Sequence, residues 1–300
     1  MSTTQAATPN VQASETRRDL RGLAWQGVAL LPLMAWLYAG VIPHLVSDWW
    51  NDPNFSHGFL VPVFSIFLVW QDRKRLSELP VRPAWLGLGL LAGAMMILVV
   101  GTLGAELFLS RSSLIFLIAG LIVYFLGWKF FHALLFPVGF LFLMVPIPAI
   151  LFNQITIPLQ FLASGMASGL VAELGVPVLR QGNVIQLPSM TLEVAEACSG
   201  IRSLMSLTTV AVIYAYFLES KFWPRALLSL SAVPIAVIAN GLRVTGTALL
   251  AYYWNQEAAE GFFHNFSGWL IFVLSLLMLF SLQGLMGWLR KRRKPQGAAS

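Results

Sequence analysis

The chain has 300 residues, 57% of them hydrophobic and only 11% charged, with a mean hydropathy of +0.74. Soluble domains carry about 25% charged residues, so this composition excludes a soluble globular domain and points to a polytopic membrane protein. The net charge of +6 does not signal nucleic acid, because the basic residues fall in short clusters between apolar runs and read as topology signals.

In chain order, residues 1–16 are polar and small and are expected to be a disordered cytoplasmic N-terminus. Arg17, Arg18 and Arg21 then precede a long apolar run with no small-residue cleavage site, the pattern of a start-transfer anchor. Stretches long enough to span, about 20 residues at 1.5 Å rise, lie near 24–42, 56–70, 84–104, 112–128, 130–149, 200–218, 226–251 and 266–288. These eight spans make one transmembrane domain over 17–290, followed by a basic cytoplasmic tail at 291–300. With the N-terminus inside, 15 of the 19 Lys and Arg residues fall on the inner side, which satisfies the positive-inside rule with both termini cytoplasmic.

Segment 153–175 is apolar enough to be a ninth span. A ninth crossing would reverse every basic cluster after it, so the expectation is an interfacial or re-entrant helix entered through the Pro146–Pro148 break. Its Ser164, Gly165, Ser168 and Gly169 form a small-residue face suited to close packing. Residues 176–196 are rich in β-branched side chains, with Gly182-Asn183 as a turn signal, and predict a short β-hairpin on the outer surface. The fold class is therefore all-α and polytopic, with about eight transmembrane helices, a re-entrant helix and a short extracytoplasmic hairpin before the sixth span.

The hairpin feeds into Cys198, the only cysteine, at the mouth of the sixth span. A lone thiol forms no intrachain disulfide. Arg243 in NGLRVTG and His264 in FFHNFSGW sit at the mouths of the next two spans, so three functional groups meet one membrane face. A thiol nucleophile needs a cation, a histidine or a helix N-terminus to favour the thiolate. Cys198 opens a helix, His264 is a candidate proton carrier, and Arg243 is a candidate stabiliser of a thiolate or oxyanion. Asn240, at i−3 from Arg243, is a candidate to orient it. Arg202, four residues after the cysteine, is a candidate to tune the thiol or pair with Glu196, and His57 competes with His264 for the acid/base role. The bland alternatives are a small core cysteine, an interfacial histidine, solvated loop glutamates and a snorkelling arginine. Arg111 reads as an interfacial anchor. No metal-ligand spacing, Walker A sequence or cofactor motif is present, so neither metal nor cofactor is expected.

From about His57 to His264 the chain resembles the exosortase family of multi-spanning bacterial cysteine transpeptidases. The resemblance is carried by SHGFLVPVFSIFLVW, by GVPVLRQGNVIQLPSMTLEVAEACSGIRSLMSL, by NGLRV and by the histidine before the last span. It is most similar to the branch lacking an extra C-terminal domain. The family's Cys, Arg and His match Cys198, Arg243 and His264. The resemblance implies an inner-membrane thiol protease that cleaves Pro-Glu-Pro-type C-terminal sorting signals of membrane-anchored substrates through a thioester. It also implies a link to exopolysaccharide production, with the active site facing the periplasm. The acceptor nucleophile is then an amine or hydroxyl, on a lipid- or polysaccharide-linked molecule among other options. Two other classes fit the composition: a carrier for polysaccharide precursors, with Arg243 and Arg202 binding an anion, and a structural component of an exopolysaccharide assembly.

Overall fold

A computed structural model describes residues 30, 32–188, 190–194, 200–254 and 262–293. Its long helices are largely apolar all round, as expected where lipid replaces water and each backbone polar group must be satisfied within its own helix. Six helices among the described residues are long and apolar enough to cross a bilayer: Leu86–Leu103, Leu107–Phe125, Ala149–Glu173, Ile201–Leu218, Phe222–Tyr253 and Phe266–Arg290. Two further apolar helices, Ser56–Gln71 and Leu135–Met144, are shorter. Much of the expected first span, 24–42, lies outside the described residues, and the count of eight spans is not confirmed.

The largest revision concerns 130–149 and 153–175. The expected fifth span is broken into short pieces at Trp128–Ala133, Leu135–Phe140 and a 3-10 turn at Leu141–Met144. The segment expected to be an interfacial or re-entrant helix is one continuous 25-residue helix, Ala149–Glu173, long and apolar enough to cross a bilayer. Pro148 caps this helix at its start, where a missing N–H costs nothing, while Pro158 is carried inside it. At about 10 residues the apolar stretch Leu135–Met144 is too short to span a bilayer as one helix.

Contacts divide the chain into two units. The first holds the residues up to Asp48 with Phe59–Pro146. Its centre is a helical hairpin of α3 (Leu86–Leu103) and α4 (Leu107–Phe125), preceded by α1 (Val41–Asn51) and α2 (Leu60–Gln71). The hairpin closes tightly at both ends: a Cβ on Gly87 would strike the Tyr124 backbone, and one on Gly101 the Ser110 backbone. Tyr38 is buried against it and shares a 2.9 Å hydrogen bond with Ser113. Arg111 is not the interfacial anchor expected. It is 3% exposed and ion-paired to Asp48 at 2.7 Å. A buried guanidinium with no counter-charge is costly, which is why Asp48 is held against it.

The second unit comprises Trp49–Gly58 and the residues from Ile147 onward. It contains α5 (Ala149–Glu173), strands β1 (Leu179–Gln181), β2 (Val184–Gln186) and β3 (Thr191–Glu193), then α6 (Ile201–Leu218), α7 (Phe222–Leu230), α8 (Ala232–Tyr253) and α9 (Phe262–Arg293). The expected hairpin is present as β1–β2, turning at Gly182 with φ +65°, and a third antiparallel strand extends it. The sheet buries Ile185 in one cluster with Ala163, Ala167 and Val171 of α5 and Val244 and Ala248 of α8. Ser164 on the expected small-residue face donates to the Gly182 carbonyl at 2.9 Å, pinning the turn to α5. At the far end of α6, Glu219 is buried and receives both guanidinium nitrogens of Arg290 from α9, at 2.5 and 2.6 Å. Arg225 donates to the Glu219 and Tyr216 carbonyls there. The exposed tryptophans 50, 85, 223, 254 and 288 lie at or near helix ends, as interfacial belts require.

The Asp48–Arg111 pair yields a direct stability test. Asp48→Asn removes the counter-charge and is expected to cost on the order of 2–3 kcal/mol, below the full buried-pair penalty because Asp48 is 39% exposed. The joint change Asp48→Leu with Arg111→Met is expected to unfold nearer the wild-type temperature in detergent, since no charge is stranded.

Candidate active site

Gly200 is the capping residue of α6 and sits in the left-handed region with φ +83°. A Cβ there would lie 2.7 Å from the Asn240 side chain. Only glycine combines that backbone conformation with that approach. The α6 start is therefore seated directly on α8. Its first turn closes through Leu204 N–H to the Gly200 carbonyl at 2.9 Å, with Ser203 donating to the same oxygen at 3.0 Å.

Asn240 is 1% exposed, and Arg243, one turn further along the same face, is half-buried. Arg243 donates from Nε to Ser267 Oγ of α9 at 3.3 Å, and its guanidinium lies beside Gly268. Thr247 donates to the Arg243 carbonyl at 3.0 Å, occupying its hydroxyl within the helix. On the other flank, a Cβ on Gly241 would meet Met166 of α5 at 2.7 Å, so α5 and α8 are in close contact at this level. Asn240 joins α6 to α8, and Arg243 joins α8 to α9.

Cys198, Glu196 and Ser199 lie outside the described residues, which stop at Val194 and resume at Gly200. Both flanks of the gap are fixed. Val194 is 1% exposed, packed in the cluster that contains Val244 and Ala248, and its N–H donates to the Asn183 carbonyl at 2.9 Å. Gly200 rests on Asn240. The two flanks are thus held to α8 on either side of the Arg243 position.

His264 belongs to the first turn of α9, three residues before Ser267 and four before Gly268. Arg202 is exposed in the first turn of α6 and forms no ion pair among the described residues. His57 is buried in a 3-10 turn of the second unit, next to Gly58, which abuts the Trp49 indole. Phe55 of the same segment packs on Phe152 of α5, with ring centres 5.8 Å apart. A cavity of about 500 Å³ in the first unit is lined by apolar residues with His44, Thr102, Ser110 and Arg111. No cluster of metal-ligating side chains occurs among the described residues.

A family model described as transmembrane exosortase matches residues 49–281, more than three-quarters of the chain. The chain belongs to the transmembrane exosortase family. The matched region contains Cys198, Arg243, His264 and His57 and excludes the N-terminal residues and the basic tail. Exosortase membership supports a membrane transpeptidase or protease role in general terms and a multi-pass membrane protein. No curated protein and no solved structure matched.

Two residues of this candidate site escaped the sequence reading. Ser267, the acceptor for Arg243, is signalled only by its i+3 spacing from His264. Gly200 looked like an ordinary helix start. Gly200→Ala is expected to cost about 1–3 kcal/mol through left-handed strain and displacement of Asn240. Thermal unfolding of Gly200→Ala, Asn240→Ala and the double variant checks it. The double variant should lose less than the sum of the singles, because the Asn240 truncation removes the collision.

Proposed function

We propose that this exosortase is an inner-membrane cysteine transpeptidase that cleaves C-terminal sorting signals of Pro-Glu-Pro type from membrane-anchored substrates, in a system linked to exopolysaccharide production and protein export. The observation that carries the reading is the anchoring of both flanks of the Cys198 segment to α8 around Arg243.

The depth of that layer supports a membrane-boundary reaction. Lys221 and Arg243 are 22 residues apart along α7 and α8, about 33 Å at helical rise. Gly200 and Glu219 are similarly separated by about 28 Å along α6. Each interval matches one hydrocarbon thickness of about 30 Å. With the Lys221 and Arg290 end in the cytoplasm, as the positive-inside rule directs, the Arg243 layer meets the outer headgroups. Assigning the fifth crossing to α5 instead of 130–149 leaves this orientation unchanged. A substrate helix docking beside these helices then presents its cleavage site at the same depth.

In the proposed chemistry the Cys198 thiolate attacks the scissile carbonyl, and the Arg243 guanidinium, steadied by Ser267, stabilises the oxyanion. His264 takes the thiol proton and delivers it to the leaving amine as the C–N bond breaks. An acceptor amine or hydroxyl then attacks the thioester and regenerates the thiol. His264 is preferred over His57 because it precedes by one turn the serine and glycine that meet Arg243.

Processing of a co-expressed reporter with such a C-terminal signal, read as a gel shift at matched expression, tests the reading. Cys198→Ala and Cys198→Ser should abolish cleavage, and Arg243→Ala should slow it by about 10²–10³, the loss of one oxyanion donor. His264→Ala should be far more damaging than His57→Ala. Cleavage that persists in Cys198→Ala would overturn the thiol mechanism and favour the carrier or structural alternatives.

A further inference from the structure

We propose that the cavity of the first unit binds one phospholipid of the outer leaflet, with an acyl chain against its aliphatic walls and the lipid phosphate on Arg111.

The cavity holds about 500 Å³ and every residue lining it belongs to the first unit. That volume falls within the range of about 300–1,000 Å³ typical of small-molecule sites. Its walls are mainly aliphatic, among them Val41 of α1, Leu98 and Val99 of α3 and Leu107 of α4. Arg111 lines the same space although it is only 3% exposed. A guanidinium carries five N–H donors and keeps its charge at any physiological pH. Among the described residues it meets one acceptor, Asp48 Oδ2, at 2.7 Å from Nη2. Asp48 balances the charge and leaves donors over, and an unsatisfied donor in aliphatic surroundings is costly. The neighbouring Ser110 hydroxyl is already bonded to the Glu106 carbonyl within α4. An oxyanion at Arg111 satisfies the remaining donors with charge-assisted hydrogen bonds.

The turn at the cavity's edge is strained. Ala105, between α3 and α4, has φ +52° and is the one non-glycine residue with positive φ among the described residues. It too lines the cavity. Glycine would adopt that conformation freely, and strain retained in this way gathers at ligand sites.

Depth selects a lipid over a free anion. Arg73, Lys74, Arg75 and Arg82 precede α3 and face the cytoplasm under the positive-inside rule. One crossing by α3 then brings the turn at 104–106 to the outer surface. Arg111 follows Leu107, the first residue of α4, by four residues, about 6 Å. The guanidinium is therefore close beneath the outer headgroups. Free phosphate would leave the aliphatic walls unfilled, and a plain hydrocarbon would leave the donors unmet.

The test titrates delipidated full-length protein in detergent with phosphatidylglycerol, with diacylglycerol of the same chains and with inorganic phosphate. Thermal unfolding and native mass spectrometry provide the readouts, and neither depends on substrate cleavage. Phosphatidylglycerol should raise the unfolding temperature and leave one lipid bound, while the other two should do neither at equal concentration. Asp48→Leu with Arg111→Met should weaken binding about tenfold or more, the weight of one charge-assisted hydrogen bond. Thr102→Trp places an indole at an exposed lining position near the interface and should abolish binding in a folded protein. This variant keeps Arg111 and Asp48, so it decides if the paired change fails to fold. Equal binding of diacylglycerol would show that Arg111 reads no headgroup, and stabilisation by phosphate alone would assign the site to a free anion. Either result overturns the proposal. So would phosphatidylglycerol binding that Thr102→Trp leaves unchanged, which places the lipid outside the cavity. Absence of binding by the wild type would overturn it as well and leave water as the acceptor for Arg111.

Discussion

The contact of Gly200 with Asn240 is the constraint on which the site depends. A left-handed residue at the head of α6 costs a β-carbon-bearing side chain about 1–2 kcal/mol, and the space a Cβ would fill belongs to Asn240. Glycine removes both penalties and lets α6 begin against the middle of α8. Val194 is buried in the cluster shared with Val244 and Ala248 of the same helix.

Charge in a low-dielectric environment organises the remainder of each unit. Arg111 with Asp48 in the first unit, and Glu219 with Arg290 in the second, are pairs in which a buried charge meets a more exposed partner. Such pairs are weak sources of net stability but strong penalties against misassembly, because a misplaced helix would strand the buried partner. Glu219 ties the ends of α6 and α9 together while the opposite end of the same helices is joined through α8 by Asn240 and Arg243. The second unit's α6 and α9 are thus tied to one another at both ends.

Much of this was legible in the sequence, and the failures have physical causes. Helices apolar on every face declare themselves by composition, and Gly182-Asn183 declared its turn. The third strand stayed hidden because Leu187-Pro188 reads as a strand breaker, although the chain reverses there through paired Leu187 and Met190 backbone bonds. Pro146 and Pro148 were read as the entrance to a re-entrant loop. A proline is equally at home at the first turn of a long helix, and only the path of the chain decides between them. Arg111 looked interfacial because its partner is 63 residues away on another helix. Cys198, Arg243 and His264 were picked out as candidates because each is a polar group at a span mouth. Ser267 was not, since the rotation of α9 about its axis is set by interhelical packing and not by its own periodicity.

The lone cysteine makes the central claim directly measurable. Ser267→Cys adds one further thiol to an otherwise cysteine-free background, and oxidation or a short bis-maleimide then reports whether position 267 meets Cys198 in membranes. A control thiol at Gly284 lies 17 residues further along α9, about 25 Å away. The account predicts efficient crosslinking of Cys198 to position 267 and none to 284. Absence of the 267 crosslink, or a stronger one at 284, would contradict the placement of the thiol beside Arg243 and with it the proposed active site.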